Sequence, residues 1–444
     1  MKTPFNFKPL LSFLMVISIA LVTFTSCKKD DDNDNVDNTP KSIAAIASAD
    51  PQFTTLVKAL AKAELVGTLS QPGTYTVFAP TNDAFNALFT QLGVSGIEDL
   101  SAEALKPILL YHVLGSKAMS SSLSSSYVST LSPAVGGRFV SLKVDVNSGV
   151  KLNSDATVTT ADITATNGVI HVINKVLLPP TVAGIAAANS DFSTLVSALS
   201  GAGLVAALSD PAATLTVFAP TNAAFAQLAS VPADLKPILL YHVLGSTVYA
   251  NQVTTGYAKS LSTYMTHPMD MYINTSSGVK INNTASVVLA DVVGTNGVIH
   301  VIDKVLLPPS VVDIAINNDA FSTLVAAVVK AGLAETLSGV GPYTVFAPTN
   351  DAFTALFSAL GVGGVSDLTA EQLTPILLYH VVAGNNVSSG LMNGNIVTLQ
   401  GSNISVNVGK GVVLNGNTNV VVADVQGSNG VLHAIDKVLL PVGK

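Results

Sequence analysis

The chain has 444 residues, 48% of them hydrophobic and only 11% charged, with no tryptophan and a formal charge of −7. That length predicts two to four domains, and a weakly acidic chain without a Lys/Arg cluster offers no track for phosphates, which excludes nucleic acid as a partner. A single cysteine, Cys27, rules out an internal disulfide.

In chain order, residues 1–26 carry Lys2 and Lys8, an apolar run from Pro9 to Phe24, and small residues before Cys27. That is the layout of a secretory signal. A cysteine directly after the cut resembles the lipobox of bacterial lipoproteins, in which the thiol receives a diacylglycerol. Phe24 stands where leucine is usual. The acidic segment that follows, Lys28-Lys29-Asp30-Asp31-Asp32, is too polar to fold. Residues 27–40 are read as a flexible tether reaching on the order of 20 Å. Lysines followed by acidic residues after a lipidated cysteine look like the surface-export signal of Bacteroidetes lipoproteins. The expected location is therefore the outer membrane, lipid-anchored, on the extracellular face.

The remainder repeats. Asn167-Gly168-Val169-Ile170-His171 opens a segment that ends at Pro179 and returns from Asn296 to Pro308 and from Asn429 to Pro441, with periods of 129 and 133 residues. Such periods are domain-sized, far above those of a solenoid. A unit of about 130 residues buries roughly two thirds of its unfolded surface. The predicted domains are 41–179, 180–308 and 309–444, joined at Pro179-Pro180 and Pro308-Pro309. Double proline stiffens each joint, so the expected arrangement is beads on a semi-rigid string.

Each unit opens with a helix whose apolar face is Phe53, Leu56, Val57 and Leu60, repeated at Phe192, Leu195, Val196, Leu199 and at Phe321, Leu324, Val325, Val328. A short strand, Tyr75-Thr76-Val77-Phe78-Ala79, then ends at Pro80, and Thr81, Asn82 and Asp83 are placed to cap the following helix. The next helical block ends in Tyr111-His112, Tyr241-His242 and Tyr379-His380, each entered through a proline that predicts a kink or break. The second unit lacks ten residues here, which points to a surface loop around Gly93 to Asp99. Alternating Val/Thr/Ser/Asn stretches follow and predict a mostly antiparallel sheet. The closing segment, apolar on both faces and introduced by Asn-Gly, reads as a doubly buried strand. The fold class is α+β.

Six of seven histidines occupy two equivalent places, with His267 the exception. Asp162, Asp291 and Asp424 lie nine residues before His171, His300 and His433. A four-residue turn would set each Asp across a hairpin from its His, as a charge-assisted hydrogen bond that fixes register. No nucleophile stands in a shared turn, as a triad would need, and no close metal-ligand spacing occurs. No catalytic residue, metal or cofactor is therefore expected.

The TVFAPTNxAF block, the Tyr-His block and the closing NGVxHxIDxVLLP strand, in that order three times, resemble the fasciclin-type domain. Asn174 and Ala223 depart from the pattern where aspartate is usual. The resemblance implies three tandem domains, each a bundle of short helices packed on a wedge-shaped β-sandwich. It implies adhesion or matrix binding rather than catalysis. The Tyr-His region of animal members is linked with integrin recognition, which carries over to Tyr111, His112, Tyr241, His242, Tyr379 and His380 as candidate binding residues. The expected function is a surface lipoprotein that attaches to cells, matrix or polysaccharide. The alternatives are a spacer or envelope-assembly protein with a lipoprotein partner, and a hydrolase built on the Asp-His pairs.

Overall fold

The computed structural model describes residues 40–230 and 232–441. The signal segment, Cys27 and all of the tether except Pro40 lie outside the described residues. From Lys41 onward the chain forms one compact unit.

In the first domain, helices α1 (Ile43–Ala49), α2 (Thr54–Lys62) and α3 (Val66–Ser70) precede strand β1 (Tyr75–Pro80). Helices α4 (Asn82–Leu92) and α5 (Ala102–Tyr111) follow. Strands β2 (Val113–Leu114), β3 (Ser126–Pro133), β4 (Phe139–Asp145), β5 (Lys151–Leu152), β6 (Ala156–Ala165) and β7 (Gly168–Ile173) complete it. The sheet order is β2-β1-β7-β6-β5-β4-β3. β1 and β7 run parallel while every other pairing in the sheet is antiparallel. The third domain repeats this order, and in the second a pairing of Ser260 with Leu244 closes the sheet into a barrel.

Every residue of β7 is buried. One side, with Ile170 and Val172, joins the core under the helices, together with Phe53, Leu56 and Phe85. On the other side Ile173 joins Phe78, Tyr111, Leu142 and Leu152 inside the folded sheet. A strand between two cores has no solvent face, so it carries no polar alternation.

Thr81 caps α4 by accepting from the Ala84 N–H at 3.3 Å, and Thr221 and Thr349 do the same for their helices. Asn82 does something else. Its Oδ1 accepts from Thr55 N–H at 2.9 Å and its Nδ2 donates to Pro51 O at 2.8 Å, tying α4 to the start of α2. Asn222 and Asn350 repeat the tie. Replacing Thr349 with Ala should lower stability by about 1 kcal/mol, read as faster amide exchange in the first turn of Asn350–Leu360.

Two expectations change. Pro107 and Pro375 lie inside α5 and Ala370–Tyr379 without ending them. The carbonyls left without a helical donor, those of Glu103 and Glu371, sit in exposed first turns, where the loss is small. The ten residues absent from the second domain are also more than a loop. Its helices there shrink to Asn222–Phe225 and Lys236–Tyr241, against α4 and α5, and the stretch lost includes the counterpart of the buried Ile97.

The domains are not beads on a string. Asn189 Nδ2 donates to Tyr127 Oη at 3.2 Å, Val293 N–H to Ser141 Oγ at 2.9 Å, and Ser154 Oγ to Ala188 O across the first junction. At the second, Asn318 Nδ2 donates to Tyr257 Oη at 2.9 Å, Gln426 N–H to Asp270 Oδ2 at 2.8 Å, and Asn283 Nδ2 to Asn317 O at 2.8 Å. These are equivalent positions, so the same sites are bonded at both junctions, with Asp270 Oδ2 in the place of Ser141 Oγ and Asn283 Nδ2 in that of Ser154 Oγ. The joints themselves are held too: Pro180 O accepts from Thr295 N–H and Pro309 O from Ser428 N–H.

Candidate functional site

The six side chains of the Tyr-His blocks are at most 2% exposed. Tyr111 Oη donates to Ser141 O at 2.9 Å and accepts from Asn153 Nδ2 at 3.0 Å. Tyr241 pairs likewise with Asp270 O and Asn282, and Tyr379 with Asn403 O and Asn415. Burial pushes the Tyr111 and Tyr241 phenols above their ordinary range. His112 donates Nδ1–H to Ile108 O and accepts Leu177 N–H at Nε2, both at 2.8 Å. His242 and His380 hold Leu306 and Leu439 in the same way. Each of these imidazoles thus fastens the chain just after the closing strand to the end of the preceding helix. Desolvation drops all three to about 4. A partner cannot touch these residues in this fold. Their contribution to the surface is indirect: Tyr111 anchors the main chain of Ser141, whose hydroxyl receives the next domain.

The second histidine set sits opposite the aspartates, but the bond runs through the main chain. His171 Nδ1 accepts from the Asp162 N–H at 3.2 Å, and Nε2 donates to Ala118 O at 2.9 Å. His300 and His433 repeat both bonds. Asp162 Oδ1 lies 3.9 Å from the imidazole, too far for the charge-assisted bond expected. The aspartate is in the left-handed region at a register shift in the hairpin (φ 64°), which turns its carboxylate away from the ring. That carboxylate instead accepts from Ser120 N–H and Oγ, and Asp424 accepts from Ser388 N–H and Oγ. With both ring nitrogens occupied by main-chain groups, none of these histidines is free to move a proton to a substrate. Among the described residues, no three His, Cys, Asp or Glu side chains gather as a metal site.

Asn167 is a third repeated polar residue, and its position in the closing turn understates its role. Its Oδ1 accepts from Ile43 N–H, and its Nδ2 donates to Leu69 O and Gln71 O. Asn296 and Asn429 do the same, so the turn residue binds the start of each domain to the end of its third helix.

An open groove lies at the first junction. Its volume is about 870 Å³, and it runs between β3 and β4 on one side and residues 289–293 of the second domain on the other. Loop 134–138 reaches across it. The Arg138 guanidinium stands 5.0 Å over the Tyr249 ring and donates to Asn251 Oδ1 at 2.9 Å, and Tyr249 Oη donates to Val135 O. Sequence reasoning passed over these residues because they depart from the repeat. Tyr127 and Tyr257 correspond to Asn395 in the third domain, a substitution visible in the sequence as a broken pattern.

A family model described as the fasciclin domain matches residues 51–179, 190–308 and 319–441. The chain belongs to the fasciclin-domain family. Over 414 residues it is 33% identical to the transforming growth factor-beta-induced protein ig-h3 of Sus scrofa, covering 90% of this chain and 58% of that protein. It is 30% identical to human periostin over 410 residues, covering 90% of this chain and 47% of periostin. This fasciclin chain thus spans about half the length of those curated relatives. A bacterial relative, protein sll1483 of Synechocystis sp., is 45% identical over 136 residues, which is 30% of this chain and 73% of that one. A solved pair of FAS1 domains from the insect cell adhesion molecule fasciclin I aligns with 57% of this chain and 97% of its own, at 21% identity and a TM-score of 0.39.

Proposed function

We propose that this fasciclin chain is an adhesion array, carried on the outer face of a bacterial outer membrane by a lipid on Cys27, that attaches to cells, matrix or polysaccharide. The observation that carries the reading is the pair of matching junctions. Three copies of one domain are fixed at set orientations, and weak contacts made by each add through effective concentration. The Tyr-His pairs and the closing-strand histidines are held in internal hydrogen bonds, which supports a structural role for them over a catalytic one. No helix among the described residues is long and apolar enough to cross a membrane.

The test uses purified residues 41–444 as a competitor of cell attachment and aggregation. The reading requires inhibition that weakens when the junctions are loosened by N189A together with N318A. Unchanged attachment, with capture of an envelope lipoprotein instead, would replace adhesion with the spacer reading. Mass spectrometry of the mature N-terminus checks the anchor: the expected product starts at a diacylglyceryl-modified Cys27.

A further inference from the structure

One difference between the domains bears on what the groove takes. In the first and third domains both oxygens of the hairpin aspartate are occupied, by the main chain and hydroxyl of Ser120 and of Ser388. In the second domain the serine is replaced by Ala250. Its N–H still reaches Asp291 Oδ1 at 2.9 Å, but no hydroxyl is there for Oδ2. That half-buried carboxylate lines the groove with one oxygen unclaimed by protein. Phe139 lines the same groove and is 45% exposed, unusual for an aromatic ring beside a domain junction. The counterparts at the second junction are Pro268 and Asp424, so that junction offers neither group.

We propose that the groove between the first and second domains binds a strand of neutral polysaccharide, with Phe139 as the platform for a sugar ring and Asp291 as acceptor for its hydroxyls. A pyranose presents a face of C–H groups that packs on an aromatic ring, while its rim of hydroxyls needs acceptors and donors at fixed places. The groove supplies both. Ser129, Ser190 and Asp191 line it with side chains that bond to no protein group. Its charges are mixed, Arg138 and Lys143 against Asp145, Asp191 and Asp291, and Lys143 is already committed to Asn189 Oδ1 at 2.9 Å. That balance disfavours an anionic polymer. The lining sets apolar surface beside hydroxyl, carboxylate and amide groups, the combination that a sugar's C–H face and hydroxyl rim require. The volume lies in the range of ligand sites.

The inference rests on the adhesion reading and names the ligand class for one site of it. The experiment titrates residues 41–444 with cello-, laminari-, manno- and xylo-oligosaccharides by calorimetry, alongside the attachment assay. The expected result is binding of at least one neutral oligosaccharide, weakened at least tenfold by F139A and by D291N. A250S is the decisive variant. It supplies the hydroxyl the other two domains have, occupies Asp291 Oδ2, and should weaken binding with the melting temperature kept or raised. Binding unchanged in F139A and A250S places the sugar elsewhere and overturns the proposal. If no oligosaccharide binds while the chain still blocks attachment, the groove assignment fails and the adhesion reading stands. If neither occurs, both fail. Matrix-protein fragments that bind and are lost in F139A would make the groove a protein site, and the glycan assignment would fall.

Discussion

G297A should unfold the second domain at temperatures where the rest of the chain is intact. A Cβ at Gly297 would stand 2.1 Å from the carbonyl oxygen of Leu215, with the same conflict at Gly168 against Tyr75 O (2.0 Å) and at Gly430 against Tyr343 O (2.1 Å). The obstructing atom is main chain of the parallel neighbour strand, so no rotamer change relieves it. The added methyl must push apart the two strands on which both cores are built, and φ of +156° adds backbone strain. The cost is about 4 kcal/mol or more, in the range reserved for disrupted cores. Gly278 is the control. It also has positive φ, at +81°, but open space around its would-be Cβ, so G278A should cost only about 1 kcal/mol. Because a chain of several domains does not melt in one step, hydrogen exchange resolved by segment is the measurement. Loss of protection in 215–220 and 297–302, with 75–80 and 343–348 unaffected, is the expected pattern. Equal protection in G297A and the parent chain would refute it.

Acid should destabilise every domain before most carboxylates titrate. His112, His242 and His380 are held near 4 by burial, below the ordinary 6.5. The unfolded chain therefore binds more protons than the folded one between those values, and stability falls as pH drops through that window. The full contribution is present above about 6.5, and the loss is complete near 4. A displacement of this size is worth about 3 kcal/mol per domain. Protonation also turns the Nε2 acceptor into a donor facing Leu177, Leu306 or Leu439 N–H. His300 and His433 are shifted down as well, by burial first, and act in the same direction. Thermal melts should be flat above pH 7 and fall steeply from 6.5 to 4. H242Q should melt lower at pH 7, yet its second domain should show a shallower decline across the window. A slope unaltered by H242Q would assign the acid sensitivity to other groups.

What the sequence revealed and what it hid divide by the range of the interaction. The helix face of Phe53, Leu56 and Leu60, the Thr81 cap and the doubly buried closing strand follow from periodicity and neighbouring residues alone. Asn82 resembled a second capping residue because a capping asparagine and one bound to a helix 27 residues earlier look alike in sequence. The Tyr-His blocks looked like candidate recognition residues because repetition marks importance without stating which side of the surface it serves. Asp162 was paired with the correct histidine, but the left-handed backbone at the hairpin irregularity redirected its carboxylate to Ser120. The junctions were hidden for a further reason. Tyr127, Ser141 and Asn189 belong to different repeats, and nothing in a linear pattern says that the end of one unit touches the start of the next.

The twin sets of interdomain bonds have a geometric corollary. If equivalent positions meet at each step, the rotation and rise that carry the first domain onto the second also carry the second close to the third. The chain is then a short length of screw, and any feature shared by all three domains faces a direction that advances by a constant angle. A surface studded with binding partners would be met at regular intervals and from successive sides, so the match between that pitch and the partner's own spacing would set how many domains engage together.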